Sequence, residues 1–425
     1  MTAGRGPGRL FALLCALNLL NYIDRQVVTG LIEPIRAELG ATDAQMGLVG
    51  SAFLLTYTFL PPIFGWLGDR AHRTRLMGIS AAVWCLATAA AGLVRSVGQL
   101  ALARGFVGIG EASYMANTPG VISDLYRAER RGRMLSIFYA AAPIGAAIGV
   151  SLAGIIAAHW GWRAACLIVG LPGLLAAVLL YRSTDPPRGA MDDAPAPPAP
   201  PLGVTLRLLA GNRAFVVLLL AFAGHIFVQN AVEYWLPTIL QRDKAIPIAV
   251  ANSSYGAMVF IAGVVGPLLG AWAGDRLRAR TRHGYAIVAA AAIVGTIVPL
   301  AAIAVASDRA VVFSAVLLEA LFGNAATGLV LAIAMEQVGA EMRATTSAVL
   351  VTSVHLLGDF ISWPLVGALS TALTNGSFEW VRNAAAAFGA TGSLSVALAT
   401  VTAPVALLSG VLYLGSTRVT RGSAA

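Results

Sequence analysis

Twelve apolar runs, each near the roughly 20 residues a helix needs to cross a hydrocarbon core, recur along the sequence. The first six start near Leu10, Ala44, Arg75, Gln99, Met134 and Arg163. The second six start near Arg213, Asn252, Gly284, Ala310, Thr346 and Ser393. Backbone amides in lipid have no water to bond, so such runs fold as helices that satisfy themselves. Charged residues make up only 12% of the 425, against roughly 25% in a soluble domain. The expected fold is an all-α polytopic membrane protein of twelve transmembrane helices in two six-helix bundles.

The gap between the sixth and seventh runs sets the domain plan. Ser183 to Pro201 holds seven of the chain's twenty prolines and reads as a polar, semi-extended linker. The expected divisions are a bundle over 1–182, a cytoplasmic Pro-rich linker over 183–211 and a second bundle over 212–425. The net charge of +9 comes from cations clustered between apolar runs. That is the pattern of membrane-flanking loops rather than of a nucleic-acid surface. With the N-terminus inside, twenty Arg and Lys fall on the cytoplasmic side, seven on the outer side, and only Arg25 and Arg104 within spans. This excess places both termini and the linker in the cytoplasm, in a plasma or inner membrane. Cys15, Cys85 and Cys166 lie within apolar runs and read as core residues, not as a disulfide or metal site. The first run carries an ionised pair and no small-residue cleavage site, so it reads as a retained helix.

A repeat relates the two halves. "GWLGDRAHRTR", Gly65 to Arg75, follows the second run, and "GAWAGDRLRAR", Gly270 to Arg280, follows the eighth. A weaker echo links the segments that begin at Glu129 and Glu341. Two similarly oriented halves are the parallel-repeat plan of many secondary transporters, which hold substrate near the midplane. The pattern at Gly65, Leu67, Asp69, Arg70 and Arg73, kept at Gly270, Asp275 and Arg276, resembles the signature of the major facilitator superfamily. "RGFVGIGE", Arg104 to Glu111, resembles that superfamily's arginine motif. "NYIDR", "RGFVGIGEASY", "SIFYAAAPIGAAIG", Gly161-Trp162 and "YWLP" together resemble the Spinster family. That resemblance implies lipid transport, with vertebrate relatives implicated in moving sphingosine-1-phosphate or lysophospholipids.

The residues support a gate and a polar site independently of the resemblance. Asp69, Arg70 and Arg73, with Asp275 and Arg276, sit at span ends. There they are expected to latch the halves together through helix-end and carboxylate contacts; the plainer alternative is an ordinary basic loop. A charge near the bilayer centre costs about 2.5–3.5 kcal/mol on insertion scales, so it faces a partner or a cavity. Arg104 and Glu111 are seven residues apart and share a helix face. The simplest arrangement pairs Asp24 with Arg104 and places Arg25 and Glu111 at the same cavity. Arg25 and Arg104 are expected to bind an anionic headgroup, and Asp24 and Glu111 to carry a coupled proton. A static buried ion pair is the structural alternative.

The second half is sparser. His225, Asn230 and Glu233 fall in the seventh run, Glu319 and Asn324 in the tenth, and His355 and Asp359, at contact spacing, in the eleventh. Glu319, deep in its run, is the expected further substrate contact. Pro143 with Gly145 and Gly149 reads as close helix packing rather than a hinge. Gly108-Ile-Gly110 lies in a membrane helix without a preceding strand and is no nucleotide motif. Metalloprotease, hydrolase-elbow and Walker patterns are missing, so neither enzyme activity nor a cofactor is expected. The expected function is secondary active transport of an amphiphilic anionic lipid, coupled to protons, by a monomer surrounded by membrane lipid. The alternative substrate is a soluble organic anion or drug.

Overall fold

The computed structural model describes residues 6–191, 202–338, 342–390 and 392–422. Residues 192–201 of the expected linker, and Glu341 of the weaker repeat, lie outside them. Among the described residues the chain is helical throughout and contains no strand. The first half comprises α1 (Gly6–Gly30), α2 (Ile32–Leu39), α3 (Asp43–Phe59), α4 (Pro61–Arg70), α5 (Arg73–Ala91), α6 (Val97–Leu125), α7 (Ala128–Tyr139), α8 (Ala141–Gly170) and α9 (Gly173–Tyr181). Then come α10 (Leu202–Gly211), α11 (Arg213–Arg242), α12 (Ile248–Arg278), α13 (Gly284–Gly295), α14 (Ile297–Val305), α15 (Arg309–Ala325) and α16 (Thr327–Glu336). The last are α17 (Arg343–Val354), a π-turn (His355–Asp359), α18 (Phe360–Thr374), α19 (Glu379–Ala387) and α20 (Ser393–Gly422).

Among the described residues, nine helical segments are long and apolar enough to cross a membrane. One of them, Glu129–Tyr181, runs for 53 residues. It turns a corner at Gly161, whose φ of 77° is costly for any side-chain-bearing residue, and so holds two spans. Helices α1 and α6, of 25 and 29 residues, carry the in-span charges and bring the total to the expected twelve. Several spans are built from two helices. Pro61 and Pro62 lack amide protons, and a new helix starts there after Leu60. A break at Ala326 separates α15 from α16. The surface is apolar where a soluble protein's would be charged: Leu175, Val298 and Val411 are 69%, 74% and 66% exposed. Side chains so placed face lipid.

The chain divides into two compact units: Met1–Ala41, Leu48–Pro195 and Ile246–Gly256 form the first, and the remainder the second. In the first, α1 lies close against α8 because Gly145 and Gly149 present no side chain. A Cβ at Gly149 would stand 2.5 Å from the Ile23 carbonyl oxygen. Close packing is thus what these small residues provide. The corner at Gly161 presents Trp162 and Arg163, which donate from Nε1 and Nη2 to Glu38 on α2 at 2.6 and 2.8 Å. Arg163 Nη1 also caps α5 through the carbonyls of Gly92 and Val94, at 3.1 and 2.7 Å. Hydrogen bonds from Trp162 and then Arg163 hold the exposed Glu38 carboxyl below the usual glutamate range.

In the second unit the start of α3 is an integral part. Arg242 grips Asp43 bidentately at 2.8 and 2.9 Å, and Ser370 Oγ donates to Asp43 at 2.6 Å. Tyr234 Oη donates to the Met46 carbonyl at 2.6 Å, and the Tyr234 ring stacks on Trp363 at 4.4 Å. The "YWLP" stretch is therefore a docking point for the tip of α3.

Candidate substrate and proton site

Asp24 and Arg25 lie on α1, and Arg104 and Glu111 on α6, within the first unit. The close ion pair is Arg25–Glu111: Arg25 Nη2 and Nε donate to Glu111 Oε2 at 2.6 and 3.2 Å. This differs from the expected Asp24–Arg104 pairing. Arg104 bears on Asp24 electrostatically, as does Glu111, and Trp84 and Thr88 of α5 flank the Asp24 carboxylate. Spacing fixed the depth and helix face of these groups, but not the rotation of α1, which turns Arg25 rather than Asp24 toward Glu111.

Aromatic rings complete the surroundings. Arg25 lies over Tyr57, Phe53 and Tyr22 at 4.5, 5.0 and 5.3 Å, and Arg104 lies over Phe53 at 4.7 Å. Ring quadrupoles stabilise a guanidinium where water is scarce, so each arginine keeps its charge in the membrane. The two helical spacings Tyr22–Arg25 and Phe53–Tyr57 were the sequence signals for this box, and sequence reasoning passed over both.

Burial is severe. Asp24, Arg104 and Glu111 are 1%, 3% and 0% exposed. Asp24 Oδ1 and Glu111 Oε1 are buried without a hydrogen-bond partner among the described residues. A buried carboxylate oxygen without a donor is costly, and beside Asp24 the Trp84 and Thr88 side chains are the donors at hand. The cluster therefore presents guanidinium donors to an anion and sets two carboxylates beside them, each with one oxygen that no hydrogen bond from the described residues occupies. A separate groove of about 550 Å³ between α5 and α6 is lined by Leu86, Leu102 and Phe106 and is apolar. Those three side chains are exposed on the lipid-facing side, so the groove is not this site.

The expected latch residues divide into two kinds. Arg73 is buried and fully engaged inside the first unit. Its Nη1 meets Asp124 Oδ2 at 2.5 Å, its Nε meets Asp185 Oδ1 at 3.0 Å, and its Nη2 donates to the Pro186 carbonyl at 2.7 Å. Arg188 Nη2 donates to the carbonyls of Gly68 and Ala71 at 2.6 and 2.9 Å, ending α4. Residues 183–189 are thus a strap bound to the motif, where a semi-extended linker was expected, and α10 makes the far end of that stretch helical. Asp69 and Arg70, by contrast, are exposed, as are Asp275 and Arg276. Arg70 lies over Trp66 at 4.3 Å and Arg276 over Trp272 at 5.1 Å. Each arginine follows its tryptophan by four residues, so the repeat reproduces a contact as well as a motif. Asp275 accepts a hydrogen bond from Tyr285 Oη at 2.6 Å.

In the second unit His355 Nδ1 and Asp359 Oδ2 meet at 2.7 Å across the π-turn, as their spacing predicts. Glu319 is 3% exposed on α15, and Glu233 of α11 bears on it electrostatically. His225 and Gln229 of α11 reach Gly323 and Asn324 of the same region. Gln229 is a polar residue that sequence reasoning missed; its place four residues after His225 was the signal.

Comparison with known proteins agrees with this architecture. The family model described as Major Facilitator Superfamily matches residues 14–362. Protein spinster homolog 1 of Bos taurus is 34% identical over 390 residues, covering 86% of this chain and 73% of the relative. Protein spinster homolog 1 of Homo sapiens is 34% identical over 399 residues, covering 87% and 75%. Among solved structures, a bacterial homolog to human lysosomal transporter, Spinster, in an inward-facing and unoccupied conformation, superimposes with a TM-score of 0.82. It shares 22% identity, over 98% of both chains. A D-xylose-proton symporter superimposes with a TM-score of 0.69 at 17% identity, over 94% of this chain and 96% of its own. These last two likenesses concern the fold. With a superfamily match over most of its length and spinster relatives above 30% identity, the chain belongs to the Spinster family of the major facilitator superfamily, as an integral multi-pass membrane protein and secondary transporter.

Proposed function

We propose that this transporter moves an amphiphilic anionic lipid, of the sphingosine-1-phosphate or lysophospholipid kind, by alternating access coupled to protons. The observation that carries this is the Arg25–Glu111 pair, set in an aromatic box beside Asp24, with one oxygen of each carboxylate lacking a donor. An anionic headgroup competes with Glu111 for Arg25, since a guanidinium binds phosphate as well as carboxylate. Once displaced, Glu111 is a buried carboxylate without its cation and takes up a proton. Asp24 and Glu111 then carry the coupled proton, Arg25 and Arg104 bind the headgroup, and Glu319 contributes a further polar contact. The anion takes Arg25 as the proton takes Glu111, and this joint binding is what couples the two.

The remaining assignments form part of this reading. The chain works as two bundles, over 1–182 and 212–425, joined by the segment 183–211. Both termini lie in the cytoplasm of a plasma or inner membrane, and the working unit is a monomer. Arg73 serves as scaffold, while the exposed Asp69, Arg70, Asp275 and Arg276 are the residues available to gate. The reading is tested by reconstituting the protein and following labelled lysophospholipid flux with and without an imposed pH gradient. Gradient-driven flux that Asp24→Asn abolishes, in a folded variant, supports it. Gradient-independent flux in both proteins overturns the coupling. Flux of a soluble organic anion without lysolipid flux overturns the substrate class.

A further inference from the structure

A second polar site lies wholly within the second unit, where α11 faces α15. Glu319 is 3% exposed, and its side chain makes no hydrogen bond or ion pair with any described residue. One turn further on, Gly323 leaves its side-chain space open: a Cβ there would lie 3.7 Å from Glu319 Oε1 and 3.8 Å from Gln229 Cγ. Glu319 and Gln229 therefore converge on this glycine from opposite helices.

The orientations of the neighbouring groups follow from their partners. Asn324 Nδ2 donates to the Ala320 carbonyl at 2.8 Å, which leaves its Oδ1 to accept from Gln229 Nε2 at 3.3 Å. Gln229 Oε1 is then a buried acceptor with no partner among the described residues. His225 Nε2 lies 2.8 Å from the Gly323 carbonyl oxygen. A carbonyl only accepts, so Nε2 carries the hydrogen, and the buried, unpartnered Nδ1 presents a lone pair.

The open positions around Gly323 are thus acceptors, namely the Glu319 carboxylate, Gln229 Oε1 and His225 Nδ1. The buried Tyr413 hydroxyl beside His225, without a partner among the described residues, is a group that can donate. Of the helices packed against α15, α12 touches Leu321 and Asn324 through Gly266 and carries its charges, Asp275, Arg276 and Arg278, only in its last turn. Helix α14 has no titratable residue, α13 and α16 carry Tyr285 and Glu336 only at their far ends, and the arginines of α11 and α15 are terminal. Glu233 of α11 adds negative charge toward Glu319. Tyr413 of α20 faces His225 at 6.3 Å, and the turn that bears the His355–Asp359 pair packs on α11 through Gly358, whose Cβ position lies 3.1 Å from the Phe227 nitrogen. A buried carboxylate among lone pairs is stable only with a cation or a proton. Among the described residues no set of three His, Cys, Asp or Glu side chains is arranged to hold a metal ion.

We infer that Glu319 holds a proton in this state, at a binding site separate from the Arg25–Glu111 cluster. The protonated carboxyl supplies a donor to a site whose open positions on Gln229 and His225 are acceptors. Glu319 accordingly meets a substrate as a neutral hydrogen-bond donor, and its proton adds to those carried in the first unit. The inference does not depend on which substrate is moved.

The test is infrared spectroscopy of the full chain in lipid nanodiscs at pH 7, read at the protonated-carboxyl C=O stretch and its shift in D₂O. The expected result is a band that vanishes in Glu319→Gln and persists in the double variant Asp24→Asn/Glu111→Gln. Glutamine has the shape of the protonated acid, so that variant keeps the packing. Gln229→Leu serves as a second probe and is expected to shift the band without abolishing it. No band in the wild type, wild-type and Glu319→Gln spectra that do not differ in this region, or loss of the Glu319-dependent band in the double variant overturns the inference. A band present in choline buffer and removed by sodium also overturns it, because a metal cation would then be the occupant.

Discussion

Replacing Glu111 by Gln removes the carboxylate that Arg25 grips at 2.6 and 3.2 Å and leaves a guanidinium in the membrane. Removing one partner of a buried pair costs about 3–5 kcal/mol. The three rings over Arg25 recover part of this, each cation–π contact being worth about 0.5–2 kcal/mol, and the 21% exposure of Arg25 admits some water. Losses of about 2–4 kcal/mol are expected for Glu111→Gln and again for Arg25→Leu, which strands a carboxylate of 0% exposure. The double variant leaves no unpaired charge and is expected to lose no more than about 2 kcal/mol, so the two effects are strongly non-additive. Steric trapping in bicelles measures all four corners of this cycle reversibly. A double variant that loses the full sum of the single effects would show that the two side chains do not act as a pair.

Three further outcomes follow from contacts elsewhere. Arg242→Gln strips the bidentate partner from Asp43, which is 5% exposed, and is expected to cost about 2–4 kcal/mol; Arg242→Lys should recover only part, because an ammonium lacks the planar fork. Asp185→Ala releases the strap from Arg73, so tryptic cleavage after Arg188 should become several-fold faster, and an unchanged rate would mean that the strap is held by other contacts. Glu38, held below its ordinary value of 4.5 by Trp162 and Arg163, contributes stability that is present above that value and lost as pH falls through the lower folded one. Glu38→Gln should flatten the acid side of the stability profile, and an unchanged profile would refute this contribution.

The apolar runs made the spans legible because the membrane enforces length and composition segment by segment. Contacts set by one helix were legible as well: His355 with Asp359, and the small residues that let α8 approach α1. What escaped was set by the rotation of one helix against another. Spacing placed Asp24, Arg25, Arg104 and Glu111 at one level, but only packing decides that Arg25 meets Glu111. The strap escaped for another reason: its prolines read as a linker, while Asp185 and Arg188 bind partners more than a hundred residues away. Asp43 and Arg242 stand 199 positions apart, and no local pattern joins them.

The central claim is that an anion and a proton bind together by splitting the Arg25–Glu111 pair, the anion on Arg25 and the proton on Glu111. The most direct measurement is proton uptake in a weakly buffered solution of the purified protein when a lysophosphatidic acid analogue is added. The account predicts uptake on binding, as Glu111 loses its cation to the headgroup, and its loss in Glu111→Gln with binding retained. Binding with no proton change in the wild type, or equal uptake in Glu111→Gln, would contradict it.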